Sequence, residues 1–417
     1  MKMCQCGTGG KANSLKYTPD YWSSIAPPND LVLELEIIGV AIALSAIELS
    51  SRGQLATPPC IGFPAQLSHS LMATSAGLSA RVGPVPFKDV EDAGDMVTAV
   101  PERPSEEHVG LVSTLPCCTV AGMSNMKLRC YQGFWMQEGL VPAAAALQRR
   151  FEPRPSDVIV ASLPKCGTTW LVALAFATLA RRAHPPGAAD HPLRRLNPHQ
   201  CLPFLEGLFA GGREGKLDAL PSPRLMNTHM PLAMIPGAVP AGGGCKVVYI
   251  CREPKDMVVS LWHYLRRVHP DLEFSEVFDM ACDGTTPYGP FWDHFLGSWR
   301  ASAARPESVL FLRYEELLRD PAGNVRRLAR FVGLPFSAAE EEGGVVGGIV
   351  ELCSLDSLRG MEANKAGYVD PRIKFPREAL FRKGVADDWK SHMTPEMARR
   401  MDGVAADKLR ATGLAFP

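Results

Sequence analysis

The part of the sequence best equipped for chemistry is a short turn that carries a lysine, a glycine and two adjacent threonines. Residues 158–161 have the length and composition of a strand, and the turn 163–169 leads from them into a helical stretch. A strand, a glycine turn and a helix in this order present free backbone N–H groups and a helix dipole, which favour an anion such as phosphate. Lys165 adds positive charge, and Thr168 and Thr169 add hydroxyl donors. The stretch therefore predicts a P-loop-like phosphate turn.

The residue order separates this turn from the P-loop of nucleoside-triphosphate enzymes. That motif, GxxxxGK[ST], places the lysine directly after its second glycine. Here Gly167 is followed by a threonine, and Lys165 lies two positions before the glycine. A P-loop kinase is therefore disfavoured. An ordinary strand-to-helix turn without a ligand is the other alternative, which the Gly-Thr-Thr residues alone leave open.

Other candidate residues with suitable chemistry lie further along the chain. His229 is a candidate general base, because neutral imidazole accepts protons near pH 7. Arg252 offers a planar fork to a phosphate, and Ser260 follows it on a predicted helix. Arg382 and Lys383 precede a glycine, Gly384, which allows close approach of the backbone to an anion.

The elements that must position these residues alternate along the chain. Apolar runs typical of buried strands are separated by helical stretches, and the runs lie at 158–161, 224–229, 245–252 and 308–313. This alternation predicts an α/β fold: one large three-layer domain with a central parallel sheet flanked by helices. Lys165, His229, Arg252 and Tyr314 each come just after a strand, so we expect them at the rim where such sheets bind ligands. Residues 197–206 are expected to form a loop.

The composition excludes several classes of function. The chain has 417 residues with 44 Lys plus Arg and 44 Asp plus Glu, so no global field attracts nucleic acid or an acidic membrane. Its 12 cysteines are scattered without a Cys/His ligand set, so no metal is expected. No secretory signal is visible, and we expect reduced thiols in a cytoplasmic protein. For Cys166 a small-residue role in the turn is favoured over a reactive thiol.

Residues 1–106 differ in composition from the rest of the chain. They are rich in Gly, Ser, Pro and Ala, and we expect a poorly ordered N-terminal extension, a targeting segment or an artefact of the gene model. The apolar stretch 31–50 contains too short an apolar core to span a bilayer and predicts a packed helix or an irregular segment. We expect the functional domain to span residues 107–417.

The motifs together resemble those of the cytosolic sulfotransferases that use 3′-phosphoadenosine 5′-phosphosulfate (PAPS). The sequences at 131–135, 197–206 and 288–294 resemble the plant branch of that family in particular. The turn resembles PKxGTTW, 228–236 resembles THxPxxxLP, 252–260 resembles RxPxDxxxS, and 382–390 resembles RKGxxGDWK. The resemblance implies that PAPS is the co-substrate. The residues that it implies for PAPS binding are Lys165, Cys166, Gly167, Thr168, Thr169, Trp170, Arg252, Ser260, Tyr314, Arg382, Lys383 and Gly384.

The resemblance also implies a reaction. His229 would take the proton of the acceptor hydroxyl, and Lys165 would stabilise the leaving phosphate. The acceptor would be a small-molecule alcohol or phenol in an apolar pocket. The aromatic residues expected to line that pocket are Tyr131, Trp135, Phe204, Trp262 and Tyr264.

The sequence departs from the family pattern at a few positions. Asp387 replaces a glycine that follows the RKG triplet, and Leu355 replaces an aromatic residue expected to stack on adenine. A relative that binds PAPS or its product adenosine 3′,5′-bisphosphate (PAP) but turns over poorly is therefore an alternative. The dimerisation motif of the family is altered at Pro395 and Arg399, which leaves monomer or homodimer open.

Overall fold

The computed structural model describes residues 83–94, 109–119, 122–123, 126–237, 245–370, 375–410 and 412–416. Most of the expected N-terminal extension, including the apolar stretch 31–50, lies outside these residues. All described residues belong to one compact unit. Among them, no helix combines the length and the apolar character needed to cross a membrane.

Nine strands are present in the described part of the chain, and they form three sheets. A small antiparallel sheet contains β1 (Cys117–Thr119), β2 (Lys127–Tyr131) and β3 (Phe134–Gln137). The central sheet contains β4 (Val158–Ser162), β5 (Leu225–Thr228), β6 (Lys246–Cys251) and β7 (Val309–Arg313). A two-stranded ribbon contains β8 (Tyr368–Asp370) and β9 (Phe375–Pro376).

The central sheet is parallel throughout and has the strand order β5-β4-β6-β7. Its strands are buried and rich in β-branched residues, as parallel strands covered on both faces are. Because they run in one direction, their carboxyl ends place Ser162, Thr228, Cys251 and Arg313 along one rim of the sheet. The α/β fold and its parallel sheet are confirmed.

Helices connect and cover the strands. In chain order they are α1 (Phe87–Gly94), α2 (Val109–Thr114), α3 (Val141–Arg150), α4 (Thr168–Leu179), α5 (Pro192–Arg195), α6 (Pro198–Cys201), α7 (Leu205–Ala210), α8 (Pro254–Leu265), α9 (Phe274–Asp283), α10 (Phe291–Ala304), α11 (Tyr314–Arg319), α12 (Pro321–Phe331), α13 (Ala338–Glu342), α14 (Val345–Leu352), α15 (Leu355–Gly360), α16 (Glu362–Lys365) and α17 (Pro395–Leu409). Short 3₁₀ turns lie at Glu138–Leu140, Glu214–Leu217, Leu232–Met234, Arg377–Leu380 and Asp388–Ser391.

The strand side chains alternate between two cores, which makes the domain three-layered. Ile159 and Tyr249 point into a core with helices α3, α7, α8, α9 and α10. Val160 and Val248 point into a second core with α4, α12 and α14. This alternation follows from the two-residue period of a strand, and it holds the sheet rim rigidly between two helical layers.

Two local features differ from the expectations. Residues 197–206 are not a loop, because Asn197 and Gln200 form a capping box that starts α6, and Leu205 starts α7. Helix α1 lies before the expected domain boundary at residue 107, yet it is joined to the body by ion pairs from Asp89 to Arg195 and from Glu91 to Arg213. The boundary itself remains a prediction.

Candidate active site

The turn between β4 and α4 is shaped by two residues with left-handed backbone. Gly167 has φ of 101°, and a Cβ at this position would lie 2.6 Å from the Tyr314 ring, so no larger residue fits. Lys165 has φ of 71°, which is unusual for a residue with a side chain. Helix α4 begins at Thr168, and its first-turn N–H groups have no carbonyl one turn earlier to bond. The turn can therefore hold an anion.

Both threonine hydroxyls of the turn are held by neighbouring side chains. The Thr168 hydroxyl is buried and lies 2.6 Å from the Ser162 hydroxyl at the end of β4. The Thr169 hydroxyl lies 2.9 Å from Nε2 of His199 on α6. Since a hydroxyl has one hydrogen and two lone pairs, each threonine can accept from its neighbour and still donate to an anion in the turn.

The Lys165 ammonium lies among cations. It stands 4.3 Å from the centre of the Tyr264 ring, a favourable cation–π contact. Burial, followed by the charges of Arg252 and Arg382, lowers the pKa of Lys165 to about 7. The charges of two arginines thus act on the Lys165 ammonium, an arrangement that a bound polyanion would stabilise.

Arg252, just after β6, is partly unsatisfied. One guanidinium nitrogen donates to the Val385 carbonyl at 2.9 Å and lies 3.6 Å from the Asp256 carboxylate. The guanidinium also stacks over the Tyr314 ring at 4.4 Å. Its buried Nε has no hydrogen-bond partner among the described residues, so a donor remains for a ligand. Ser260 is half-buried on α8, one turn after Asp256.

The segment 382–384 directly precedes Val385, whose carbonyl accepts from this arginine. Arg382 pairs with the Asp388 carboxylate at 2.7 Å, and Lys383 contacts the same carboxylate. Gly384 has φ of 70°, and a Cβ there would lie 2.5 Å from the Leu355 side chain. Leu355 therefore packs on the segment that also carries the two cations.

Asp387 replaces the second glycine of this segment, and its backbone is left-handed with φ of 64°. The N–H groups of Asp387 and Trp389 both donate to the Asp256 carboxylate, at 2.8 and 2.9 Å, and these bonds hold the strained conformation. The Asp387 carboxylate points outward and pairs with Lys390 at 3.1 Å. Its negative charge is therefore directed toward solvent.

Two aromatic rings border the turn. Trp170 on α4 and Tyr314 on α11 meet edge to face, with ring centres 5.8 Å apart. Tyr314 thus contacts the glycine of the turn, Arg252 and Trp170. Cys166 is fully buried, and burial raises the pKa of its thiol far above the usual range, so it stays neutral and acts as a small core residue.

His229 is held in one orientation and one tautomer. Its Nδ1 lies 2.9 Å from the Ser162 carbonyl, which can only accept, so Nδ1 carries the hydrogen. Burial and the charge of Lys165 lower the pKa of His229 to about 4, so the ring is neutral near pH 7 and Nε2 has a free lone pair. Ser162 thereby joins the His229 ring to the turn, through its carbonyl on one side and its hydroxyl on the other.

The backbone of His229 is also fixed. Its N–H donates to the buried Glu206 carboxylate at 2.8 Å, and the Thr228 hydroxyl donates to the same group at 2.9 Å. Its carbonyl accepts from Nε2 of His294 at 2.9 Å, and His294 in turn contacts the Tyr249 hydroxyl at 2.6 Å. Burial raises the pKa of Glu206 to about 7.

The aromatic residues near His229 include some of those expected from the sequence, together with Tyr288. Phe204 and Tyr288 each have a ring centre 5.5 Å from the imidazole, and Trp135 exchanges backbone hydrogen bonds with Tyr288 and Gly289. Together with Tyr264 beside the Lys165 ammonium, the Phe204 and Tyr288 rings make an apolar surface next to the imidazole.

The structure does not bring Tyr131 and Trp262 to this surface. Tyr131 donates its hydroxyl to Gln148 at 2.8 Å. Trp262 donates its ring N–H to the Leu272 carbonyl and packs against Phe274. The physical reason is helical geometry: positions 262 and 264 of α8 differ by about 200° around the axis, so only one of them can face Lys165.

Sequence reasoning missed Ser162, His199 and Glu206. Each of them hydrogen-bonds to a predicted site residue that is distant in the sequence. Ser162 and Glu206 contact His229, and His199 contacts Thr169. Two modest signals were available in the sequence. One is the capping-box pattern of Asn197 and Gln200 on either side of His199, and the other is the position of Glu206 directly after the apolar residues 203–205. No group of three or more potential metal ligands is found among the described residues.

Comparison with known proteins identifies similar chains. A family model described as a sulfotransferase domain matches residues 155–413. Cytosolic sulfotransferase 8 of Arabidopsis thaliana is 42% identical over 316 residues, which cover 74% of this chain and 93% of the relative. Cytosolic sulfotransferase 1 of the same plant is 41% identical over 330 residues, which cover 77% and 98%.

Solved structures show the same fold. A sulphotransferase from Arabidopsis thaliana superimposes with a TM-score of 0.60 at 34% identity, covering 76% of this chain and all of that one (100%). A mouse sulfotransferase in complex with PAP has a TM-score of 0.52 at 24% identity, covering 68% and 95%. At that identity the mouse protein supports the fold alone.

Proposed function

Because this chain belongs to the sulfotransferase family, we propose that it transfers a sulfuryl group from PAPS to the hydroxyl of a small, largely apolar alcohol or phenol. Family membership confirms the predicted enzyme class, and the relatives named above are cytosolic, in agreement with the predicted location. The residues that act, the binding mode of PAPS and the type of acceptor are part of the proposal.

One observation carries the proposal: three cations converge at a sheet rim where a neutral imidazole also lies. Burial, followed by the charges of Arg252 and Arg382, lowers the pKa of Lys165 to about 7, which supports a shared cationic site. The same ammonium lowers the pKa of His229, so base and cations share one site. The unpartnered Nε of Arg252 and the left-handed Gly167 further fit an anionic ligand that approaches the backbone closely.

In PAPS the sulfuryl group is bonded to the 5′-phosphate. When the sulfuryl group is transferred, that phosphate, as part of PAP, is the leaving group. We assign the phosphosulfate of PAPS to the N–H groups of residues 167–169, the threonine hydroxyls and Lys165. Its 3′-phosphate is assigned to Arg252, Ser260 and the segment 382–384, and its adenine to the faces of Trp170 and Tyr314. Arg382 and Lys383 already lie beside Arg252 through the backbone contact at Val385.

We assign His229 the role of the general base that accepts the proton of the acceptor hydroxyl. Its Nδ1–H is committed to the Ser162 carbonyl, so Nε2 accepts the hydrogen of the acceptor hydroxyl as that oxygen attacks sulfur. Lys165 stabilises charge that develops on the leaving phosphate. Phe204, Tyr264 and Tyr288 exclude water on the acceptor side, which favours an apolar acceptor body.

The test has a binding arm and a turnover arm. Calorimetry with PAP and with ATP separates this function from that of a P-loop kinase, and we expect PAP to bind at least about tenfold more tightly because only PAP carries a 3′-phosphate. Turnover of PAPS is then measured against a panel of flavonols, steroids and hydroxy acids. PAP binding without turnover of any acceptor would favour an impaired relative instead.

Two variants of the base sharpen the turnover arm. His229→Ala removes the ring, whereas His229→Asn keeps a donor for the Ser162 carbonyl but cannot accept a proton. We expect both to bind PAP within about threefold of the parent and to lose about 10²–10⁴-fold in turnover. A His229→Asn variant with near-normal turnover would show that basicity is not needed.

A further inference from the structure

His199 is anchored from two sides on the short helix α6. Its backbone N–H donates to the Asn197 side chain at 3.0 Å, and the Gln200 side chain accepts from the Asn197 N–H at 3.0 Å. The Asn197 amide also donates to the buried side chain of Asn364 at 2.7 Å. The helix therefore holds the imidazole at a defined place without any ligand.

From this place the ring reaches into the phosphate turn. Nε2 of His199 lies 2.9 Å from the hydroxyl of Thr169, the second residue of α4. Burial, followed by the charges of His229 and Lys165, lowers the pKa of His199 to about 4. The ring is therefore neutral near pH 7 and carries a single N–H, on either Nδ1 or Nε2.

The two tautomers have opposite consequences for an anion. With the hydrogen on Nδ1, the Thr169 hydroxyl must donate to Nε2, and it then presents only lone pairs to a phosphate. With the hydrogen on Nε2, the ring donates to Thr169, and the threonine hydrogen is free to point into the turn. Thr168 has an equivalent second partner in Ser162, so both hydroxyls can be oriented before a ligand arrives.

We propose that His199 is a positioning residue that donates from Nε2 to the Thr169 hydroxyl and thereby directs the threonine hydrogen toward the phosphosulfate of the co-substrate. The inference rests on the proposed function, since it assumes that the turn binds PAPS. It assigns a role in co-substrate binding to a second histidine, distinct from His229, which is the proposed general base. Pre-orientation of a hydroxyl lowers the ordering cost that binding would otherwise carry.

The test is a double-mutant cycle on PAP binding, measured by calorimetry. His199→Phe keeps the ring volume without a donor, and His199→Gln keeps an amide N–H near the position of Nε2. We expect His199→Phe to weaken PAP about five- to tenfold, which is the net contribution of one ordinary hydrogen bond. We expect His199→Gln to restore the affinity for PAP to within about twofold of the parent. Thr169→Val should weaken PAP at least as much, and the His199→Phe/Thr169→Val double variant no more than Thr169→Val alone.

Controls separate positioning from folding and from the reaction step. Thr178→Val removes a buried hydroxyl from the same helix that has no side-chain hydrogen bond in the described structure, and we expect unchanged PAP affinity. At saturating PAPS the turnover number of His199→Phe should stay within about threefold of the parent while the KM for PAPS rises, because a positioning residue acts on binding of the turn's ligand.

Two results would overturn the inference alone: additive losses in the cycle, or a His199→Gln variant as weak as His199→Phe, provided that the parent protein binds PAP. If the parent does not bind PAP, the proposed function fails, and this inference fails with it. A His199→Phe variant that does not fold leaves the decision to His199→Gln and Thr169→Val. Parent-like PAP affinity of Thr169→Val would then contradict the proposal.

Discussion

Binding of PAP should be coupled to protonation of Lys165, because the ligand changes the electrostatic surroundings of this ammonium. Burial and the charges of Arg252 and Arg382 lower the pKa of Lys165 to about 7. A bound phosphate opposes the guanidinium charges, so it raises this pKa, and the protonated form is the one that binds. Below pH 7 the lysine is already charged, whereas above pH 7 each binding event must take up a proton.

The magnitude follows from the pKa. At pH 8 only about a tenth of the lysine is protonated, so we expect an uptake of about 0.9 proton per PAP. Affinity should fall about tenfold for each pH unit above 7, which corresponds to about 1.4 kcal/mol per unit. Phosphate groups titrate near pH 6, so above pH 7.5 their contribution is small.

The assay is titration calorimetry at pH 7.5–9 in two buffers with different ionisation enthalpies. Lys165→Arg is the matched control, since it keeps the positive charge but does not titrate in this range. It also retains every other titratable group, including Glu206, so the difference between the two proteins isolates Lys165. An uptake below about 0.2 proton at pH 8 in the parent, or an equal uptake in Lys165→Arg, would refute the reasoning.

Three further outcomes test other contacts. Arg252→Ala should weaken the binding of PAP about 10–100-fold but that of adenosine 5′-monophosphate less than twofold, because only PAP has the 3′-phosphate assigned to this side chain. Equal losses of affinity for both ligands, measured by calorimetry, would contradict the assignment. Asp387→Gly should raise the free energy of unfolding, measured in urea, by up to about 1 kcal/mol, because glycine adopts the left-handed backbone without strain. It should leave PAP affinity within about twofold of the parent, because the Asp387 carboxylate pairs with Lys390. A lower free energy of unfolding would count against strain at this position. Burial raises the pKa of Glu206 to about 7 from 4.5, so the folded state binds more protons between these values and stability falls as pH rises through them, by up to about 3 kcal/mol. Glu206→Gln should show less of this fall when urea unfolding is compared at pH 4.5 and 7.5; an identical pH dependence would mean that Glu206 does not cause it.

The central part of the fold could be predicted from local patterns. Each of the four apolar runs forms a strand of the central sheet, with ends within about two residues of the prediction. This success has a physical basis, because strands buried on both faces need continuous apolar residues wherever they occur. The loop predicted for residues 197–206 was wrong, since helices of 4 and 6 residues are too short to show a helical period.

The rim positions of Lys165, His229, Arg252 and Tyr314 follow from the same logic. Parallel strands end at one edge, so residues directly after them are brought together whatever the loops do. The directions in which the side chains point at that edge do not follow from the positions of the strand ends. Trp262 and Tyr264 looked equivalent in the sequence, yet the helix turns one toward Lys165 and the other toward Phe274.

Residue types and spacing were thus sufficient for the strands of the central sheet, for their parallel direction and for the family, because these follow from local apolar patterns and from motifs short in sequence. Only the folded chain shows that Ser162 joins the His229 ring to the turn, that Glu206 holds the backbone of His229, and that His199 reaches Thr169. The carboxylate of Asp387 likewise turns toward solvent only because Asp256 holds the backbone around it. Such contacts depend on the relative placement of elements far apart in the chain, and local patterns carry little information about that placement.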